Sequence, residues 1–163
     1  MSQFLSLLRP VIRFLVVAAL LSLAATPAAL ADTSTGLRGG FSSGPDQFLI
    51  GGQLNFSPVG DNLYIVPSGE AGFGDNLFTL SFNGDLQYRF AVKRGSEVRP
   101  YAGGGLSLYY VNVDGGGSDT NMGVDVLGGI FFGRTSGNPM FIEAKAGLTD
   151  EVPDWKFIFG INF

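Results

Sequence analysis

Residues 77–90 read Leu77-Phe78-Thr79-Leu80-Ser81-Phe82-Asn83-Gly84-Asp85-Leu86-Gln87-Tyr88-Arg89-Phe90. Phe78, Leu80, Phe82, Leu86, Tyr88 and Phe90 share one parity, interrupted only by Gly84. Thr79, Ser81, Asn83, Asp85, Gln87 and Arg89 hold the other. A period of two belongs to a strand with one apolar and one polar face. Helical spacing would scatter the same residues around a cylinder. An ordinary strand has about five or six residues. This one is long enough for a tilted membrane crossing, which takes about 9–11.

The alternation recurs along the chain. Phe48, Ile50, Leu54 and Phe56 oppose Gly51, Gln53, Asn55 and Ser57. Ala102, Leu106, Leu108 and Tyr110 oppose Tyr101, Gly103, Gly105, Ser107 and Tyr109. Met122, Val124, Val126, Ile130 and Phe132 oppose Gly123, Asp125, Leu127, Gly129 and Phe131. Met140, Ile142, Ala144, Ala146 and Leu148 oppose Phe141, Glu143, Lys145 and Gly147. Trp155, Phe157, Phe159, Ile161 and Phe163 oppose Lys156, Ile158, Gly160 and Asn162. Two weaker strands are expected, one over 36–43 with Leu37 and Phe41 opposite Arg38, Gly40 and Ser42, the other over 63–69. Pro67 cannot donate to a ladder and predicts a bulge or a locally broken pairing. Turn-forming clusters such as Gly74-Asp75-Asn76 and Ser136-Gly137-Asn138-Pro139 separate the segments. The expected fold is all-β: an eight-stranded antiparallel up-and-down transmembrane β-barrel.

Such a sheet could also close as a soluble barrel with its apolar face inward. The small residues decide. Glycine on a solvent-facing parity would only weaken the strands. Inside a narrow eight-stranded barrel, small and polar side chains are the ones that fit. Charged residues are 15% of the chain, below the roughly 25% usual for soluble domains.

Residues 1–31 read as a cleavable signal peptide. Arg9 and Arg13 precede an apolar run, Phe14 to Leu23, and Ala29-Leu30-Ala31 fits the small-x-small cleavage rule. The mature domain is then 32–163, and all 25 glycines fall within it.

The chain has no His and no Cys. Imidazole bases, Ser-His-Asp and Cys-His triads, thiolate metal sites and disulfides are therefore excluded. The net charge of −4 argues against nucleic acid as a partner. Gly40-Phe41-Ser42-Ser43-Gly44 matches G-x-S-x-G, but that motif needs a strand-to-helix turn and a His partner. No catalytic residue and no cofactor are expected.

On the inward parity Arg38, Arg89, Lys145 and Lys156 face Asp85, Asp125 and Glu143, with Glu70 as a further acid. Buried charges persist only when paired, so this balance predicts a salt-bridged plug. Glu143 and Lys145 are each expected to pair across the lumen with Arg89 or Asp85. A gated ion path is the functional alternative. Aromatics at the strand ends predict two interfacial girdles, Phe78, Tyr110 and Trp155 outside and Tyr88, Phe90, Phe132 and Phe163 inside.

The outer loops hold Asp46, Asp75, Asp114, Asp119, Asp150, Glu151 and Asp154, whereas Lys93, Arg94, Arg99 and Arg134 fall in the inner turns. Acidic loops beside anionic lipid repel unless divalent cations bridge them. Asp150, Glu151 and Asp154 are accordingly candidates for weak surface binding of Ca²⁺ or Mg²⁺.

The terminal run Trp155 to Phe163 resembles the C-terminal signal read by the barrel-assembly machinery, with Phe159, Ile161 and Phe163 on its apolar parity. Asn83 to Phe90, followed by Arg99-Pro100-Tyr101-Ala102-Gly103-Gly104-Gly105-Leu106, resembles the outer-membrane β-barrel domain family, which is porin-like or opacity-protein-like and shares the OmpA and OmpX architecture. The resemblance implies residence in the outer membrane of a Gram-negative bacterium. It also implies contact with outer-membrane lipid and lipopolysaccharide, and assembly by that machinery. A monomer is expected. The family implies no single activity. A non-catalytic structural or surface-interaction role is the first expectation, and a small passive pore the second.

Overall fold

The computed structural model describes residues 33–56, 58–113, 115–133 and 137–163. The signal peptide expected over 1–31 lies outside the described residues, as do Ser57, Asp114 and Arg134. From Ser34 onward the chain forms eight strands: β1 Ser34–Ser43, β2 Gln47–Asn55, β3 Leu63–Gly74, β4 Leu77–Arg89, β5 Arg99–Val113, β6 Ser118–Phe132, β7 Met140–Gly147 and β8 Trp155–Asn162. Every strand pairs antiparallel with its sequence neighbour, and β8 pairs with β1 to close the barrel. Closure leaves no edge strand in the sheet.

The two parities take opposite sides of this wall. On β4, Phe78, Leu80, Phe82, Leu86 and Tyr88 are exposed, while Thr79, Ser81, Asn83, Asp85 and Gln87 are buried. The same rule orders β8, where Trp155, Phe157 and Phe159 look out and Lys156 and Ile158 look in. Asn55, Asp85, Asn83 and Gln87 are all at most 4% exposed, so the polar parity is the interior. The outer surface carries rings in edge-on pairs, Phe41 with Phe48 at 5.6 Å and Tyr88 with Phe90 at 5.3 Å.

Three local features depart from the sequence reading. The third strand runs five residues past Gly69, to Gly74, in unbroken register with β4. Pro67 interrupts only the other side: the β2 ladder stops at Gln53 opposite Ser68, and pairing resumes where the Phe56 amide donates to the Ile65 carbonyl at 3.2 Å. Phe56, expected on the outward parity, follows the end of β2 and is buried. The wall is also uneven in height, since β5 and β6 have 15 residues each and β7 and β8 only 8.

The lumen is not uniformly small and polar. Tyr101, Leu127, Phe131, Phe141 and Ile158 form a buried cluster towards the inner end, the end that holds Phe163. Tyr101 stacks on Phe131 at 4.7 Å, and Phe131 meets Phe141 edge-on at 5.9 Å. Two glycines make room for these rings. A Cβ on Gly160 would meet the Phe141 ring, and one on Gly129 the Tyr101 ring.

Candidate functional site

Above the aromatic cluster the lumen is filled by two groups of paired charges. Arg38 is the hub of one. Its Nε lies 3.0 Å from Glu70 Oε1 and its Nη2 lies 2.9 Å from Glu143 Oε1. Its Nη1 donates to Gln53 Oε1 at 3.2 Å. Glu70 Oε2 accepts from Lys156 Nζ at 2.8 Å and from Ser81 Oγ at 3.1 Å. Glu143 Oε2 accepts from the Tyr101 hydroxyl at 2.9 Å and from Gln87 Nε2 at 3.3 Å. Lys145 Nζ reaches Asp85 Oδ1 at 2.6 Å and Asp125 Oδ1 at 3.4 Å. Ser107 Oγ lies 2.6 Å from Asp125 Oδ2.

The register explains how side chains from separate walls meet. Arg38 on β1, Gly51 on β2 and Glu70 on β3 stand in one row. Asp85 on β4, Gly105 on β5 and Asp125 on β6 stand in another. Neighbouring strands lie about 4.8 Å apart, so each row sets two charged residues about 10 Å apart with a glycine between. At Gly105 the missing side chain leaves the volume that the Asp85 and Asp125 carboxylates occupy around Lys145, while at Gly51 a Cβ would meet the β3 backbone. A Cβ on Gly105 would meet Asp85 Oδ1.

The structure thus sorts these charges into two sets, Arg38, Glu70, Glu143 and Lys156 in one and Lys145, Asp85 and Asp125 in the other. Lys145 has Asp85 as its partner. Glu143 is held by Arg38, not by Arg89 or Asp85. Arg89 makes no ion pair, because it lies four residues along β4 from Asp85, nearer the inner mouth, and reaches Glu143 only through Gln87. There its Nη2 donates to Asn55 Oδ1 at 2.6 Å and to Gln87 Oε1 at 3.2 Å. Glu70, the further acid of the inward parity, contacts two cations, Arg38 and Lys156.

Both ends of the bore are packed shut. Towards the outer end Gln47 Nε2 donates to the Tyr109 hydroxyl at 2.6 Å, and Thr79 Oγ1 donates to Gln47 Oε1 at 2.5 Å. Val152 and Pro153 of the β7–β8 loop are buried, and Val152 packs where Gly123 and Gly147 have no side chain. At the inner end the cluster around Phe131 and Phe141 fills the bore.

Other expected sites have plain positions. Asp150, Glu151 and Asp154 do not converge: among the described residues no group of three acidic side chains could hold a metal ion. The physical reason is the turn itself. The Asp154 carboxylate is directed at Gly44 of the neighbouring β1–β2 turn, where a Cβ would meet it. Ser42 of the G-x-S-x-G match points into the lumen and donates to the Pro45 carbonyl at 2.9 Å. It sits on a strand and not on a strand-to-helix elbow. Phe159 and Phe163 of the terminal run are exposed, and the Phe163 amide donates to the Thr35 carbonyl at 2.8 Å as β8 closes on β1.

Comparison with solved structures places this architecture. The N-terminal β-barrel domain of Pseudomonas aeruginosa OprF matches with a TM-score of 0.65 at 17% identity, over 80% of this chain and 95% of that one. Neisserial surface protein A (NspA) matches with a TM-score of 0.58 at 20% identity, over 80% and 92%. This is the fold of the small eight-stranded outer-membrane barrels. Yersinia pestis outer membrane protein Ail, solved in a phospholipid bilayer nanodisc, shares it with a TM-score of 0.51 at 9% identity, over 81% and 99%. No protein-family model and no curated protein matches the sequence. At these identities the outer-membrane barrel fold is what the chain shares with the three, while the charges in its lumen are argued from its own residues.

Proposed function

We propose that this chain is an integral, non-catalytic protein of the bacterial outer membrane with a structural or surface-interaction role. In this reading it is exported by a signal peptide cleaved near Ala31. It is threaded into the membrane by the barrel-assembly machinery, which reads Phe159, Ile161 and Phe163, and it stands as a monomer among outer-membrane lipid and lipopolysaccharide. The observation that carries the reading is the pairing of a greasy outer wall with a filled bore. Leu37, Phe82, Leu106, Phe157 and Phe159 are each more than half exposed. That surface would be untenable in water at this density and suits hydrocarbon.

The filled bore sets the role apart from solute passage. An ion crossing it would have to displace the Arg38–Glu70–Lys156 and Lys145–Asp85 contacts and the aromatic layer beneath. Fractionation tests the address: the protein is expected in the outer membrane, with the heat-dependent gel shift of a folded barrel. Planar-bilayer recording tests the role. The expected result is no steady current. A stable conductance from the purified protein would favour the passive-pore alternative and contradict a structural plug.

A further inference from the structure

The inner mouth carries two guanidinium groups that take no part in the lumen ion pairs. Arg89 is half-buried between rings, its Cζ 3.9 Å from the Tyr64 centroid and 4.6 Å from that of Phe131. The Arg99 guanidinium lies 6.0 Å from the same Tyr64 ring. Arg99 is itself fixed in place, with Nη2 donating to Asn62 Oδ1 at 2.6 Å and to the Arg89 carbonyl at 3.1 Å, and Nε to the Phe90 carbonyl at 3.1 Å. It pins the β2–β3 turn to the β4–β5 hairpin.

Among the described residues neither guanidinium has a carboxylate partner in an ion pair. The ion pairs among the described residues all belong to Arg38, Lys145 and Lys156 and include neither Arg89 nor Arg99. Arg89 has only neutral acceptors, Asn55 and Gln87, and its buried Nε has no hydrogen-bond partner. Two like charges around one ring repel, and a buried donor without an acceptor is costly. Aromatic faces steady a guanidinium but leave its edge donors free. The donors left over, Arg89 Nε and the Nη1 of each guanidinium, suit a tetrahedral oxyanion, because N–H groups on a cation make strong charge-assisted hydrogen bonds to phosphate oxygens.

We propose that the inner mouth is a phosphate-binding niche built from Arg89 and Arg99 around Tyr64. The bound group is a phosphate, carried on a phospholipid headgroup or free in the compartment facing that mouth. Tyr88 and Phe90, the outward neighbours of Arg89, place the niche at the level of the inner aromatic girdle, within reach of headgroups.

The test uses the full protein extracted from membranes into a phosphate-free non-ionic detergent. Two probes are titrated and followed by phosphorus NMR line width: inorganic phosphate, and dihexanoyl phosphatidylglycerol below its micelle concentration. Binding is expected to weaken at least about tenfold in Arg89→Gln, as expected for a hydrogen bond to a charged group. It should stay within about twofold in Arg94→Gln, a basic side chain exposed in the neighbouring turn. A response to inorganic phosphate assigns a free ligand, and a response to the lipid alone assigns a headgroup. No response to either probe, or equal loss in Arg94→Gln, overturns the proposal. A second measurement needs no variant. Saturating phosphate should slow phenylglyoxal modification of Arg89 and Arg99, mapped by mass spectrometry, and unchanged rates would overturn it too.

Discussion

Lys145 Nζ lies 2.6 Å from Asp85 Oδ1, although the two residues stand on β7 and β4, on opposite sides of the barrel. Both side chains are almost wholly buried. Such a contact ties distant walls together through the bore, and its loss leaves a charge with nowhere to go. Removing one member of a buried pair costs about 3–5 kcal/mol, whereas replacing both with apolar groups is often neutral. Lys145→Met is therefore expected to destabilise the barrel by about 3 kcal/mol or more. Lys145→Met combined with Asp85→Leu should recover a large part of that loss. Urea unfolding in lipid vesicles, run as a double-mutant cycle, measures the coupling; additive losses would contradict it.

Arg38 should be less replaceable than Lys156. Arg38 contacts Glu70, Glu143 and Gln53, whereas Lys156 contacts Glu70 alone among the acids. Arg38→Met leaves Glu143 without a cation and Glu70 with Lys156 alone, and is expected to cost more than Lys156→Met, by about 1–3 kcal/mol. The same unfolding measurement ranks them, and equal losses would mean that Arg38 is no hub.

The glycines beneath the rings are expected to be intolerant of any side chain. Gly160→Ala places a methyl group against Phe141, and the ring has Phe131 on its other side. Overpacking of this kind costs about 1–3 kcal/mol. Gly160→Ala with Phe141→Leu should recover only part of the loss, because the added Cβ also meets the Leu37 carbonyl of β1. Gly60 has open space around it, so Gly60→Ala in the β2–β3 turn serves as the neutral control.

Depth along the outer wall should set the cost of a charge. Val126 sits midway along β6 and faces outward. Arginine there is expected to cost about 2–4 kcal/mol in a bilayer, and about 0–1 at Phe163 near the rim. Refolding titrations into vesicles read the difference. A cost independent of depth would mean that this surface does not meet hydrocarbon.

The eight strands were legible because side chains on a pleat alternate with period two and a one-residue slip would turn every phenylalanine inward. The end of β3 was less legible. Its outward residues Gly69 and Ala71 are small and its inward Glu70 is charged, so the contrast between faces fades where the register with β4 still holds. The lumen charges were legible as a set, since parity assigns a side. Their pairing was not, because parity says nothing of height. Arg89 and Asp85 share a face yet sit at different levels, and Glu143 meets Arg38 instead. The rows Arg38–Gly51–Glu70 and Asp85–Gly105–Asp125 come from inter-strand register, which long-range pairing sets. The inward Tyr101, Leu127, Phe131, Phe141 and Ile158 did carry a signal: bulky residues on the polar parity of four consecutive strands, β5 to β8.

The orientation of the wall is the statement on which the rest depends, and the absence of native cysteine makes it directly measurable. Single cysteines at positions 79 to 88 of β4, each carrying a nitroxide, can be read by electron paramagnetic resonance in lipid vesicles. Collision with oxygen, which concentrates in hydrocarbon, is expected to be high at 80, 82, 86 and 88 and low at 79, 81, 83, 85 and 87. Oxygen contact at the odd positions, or water-soluble relaxation agent reaching them freely while the even positions stay shielded, would contradict the account.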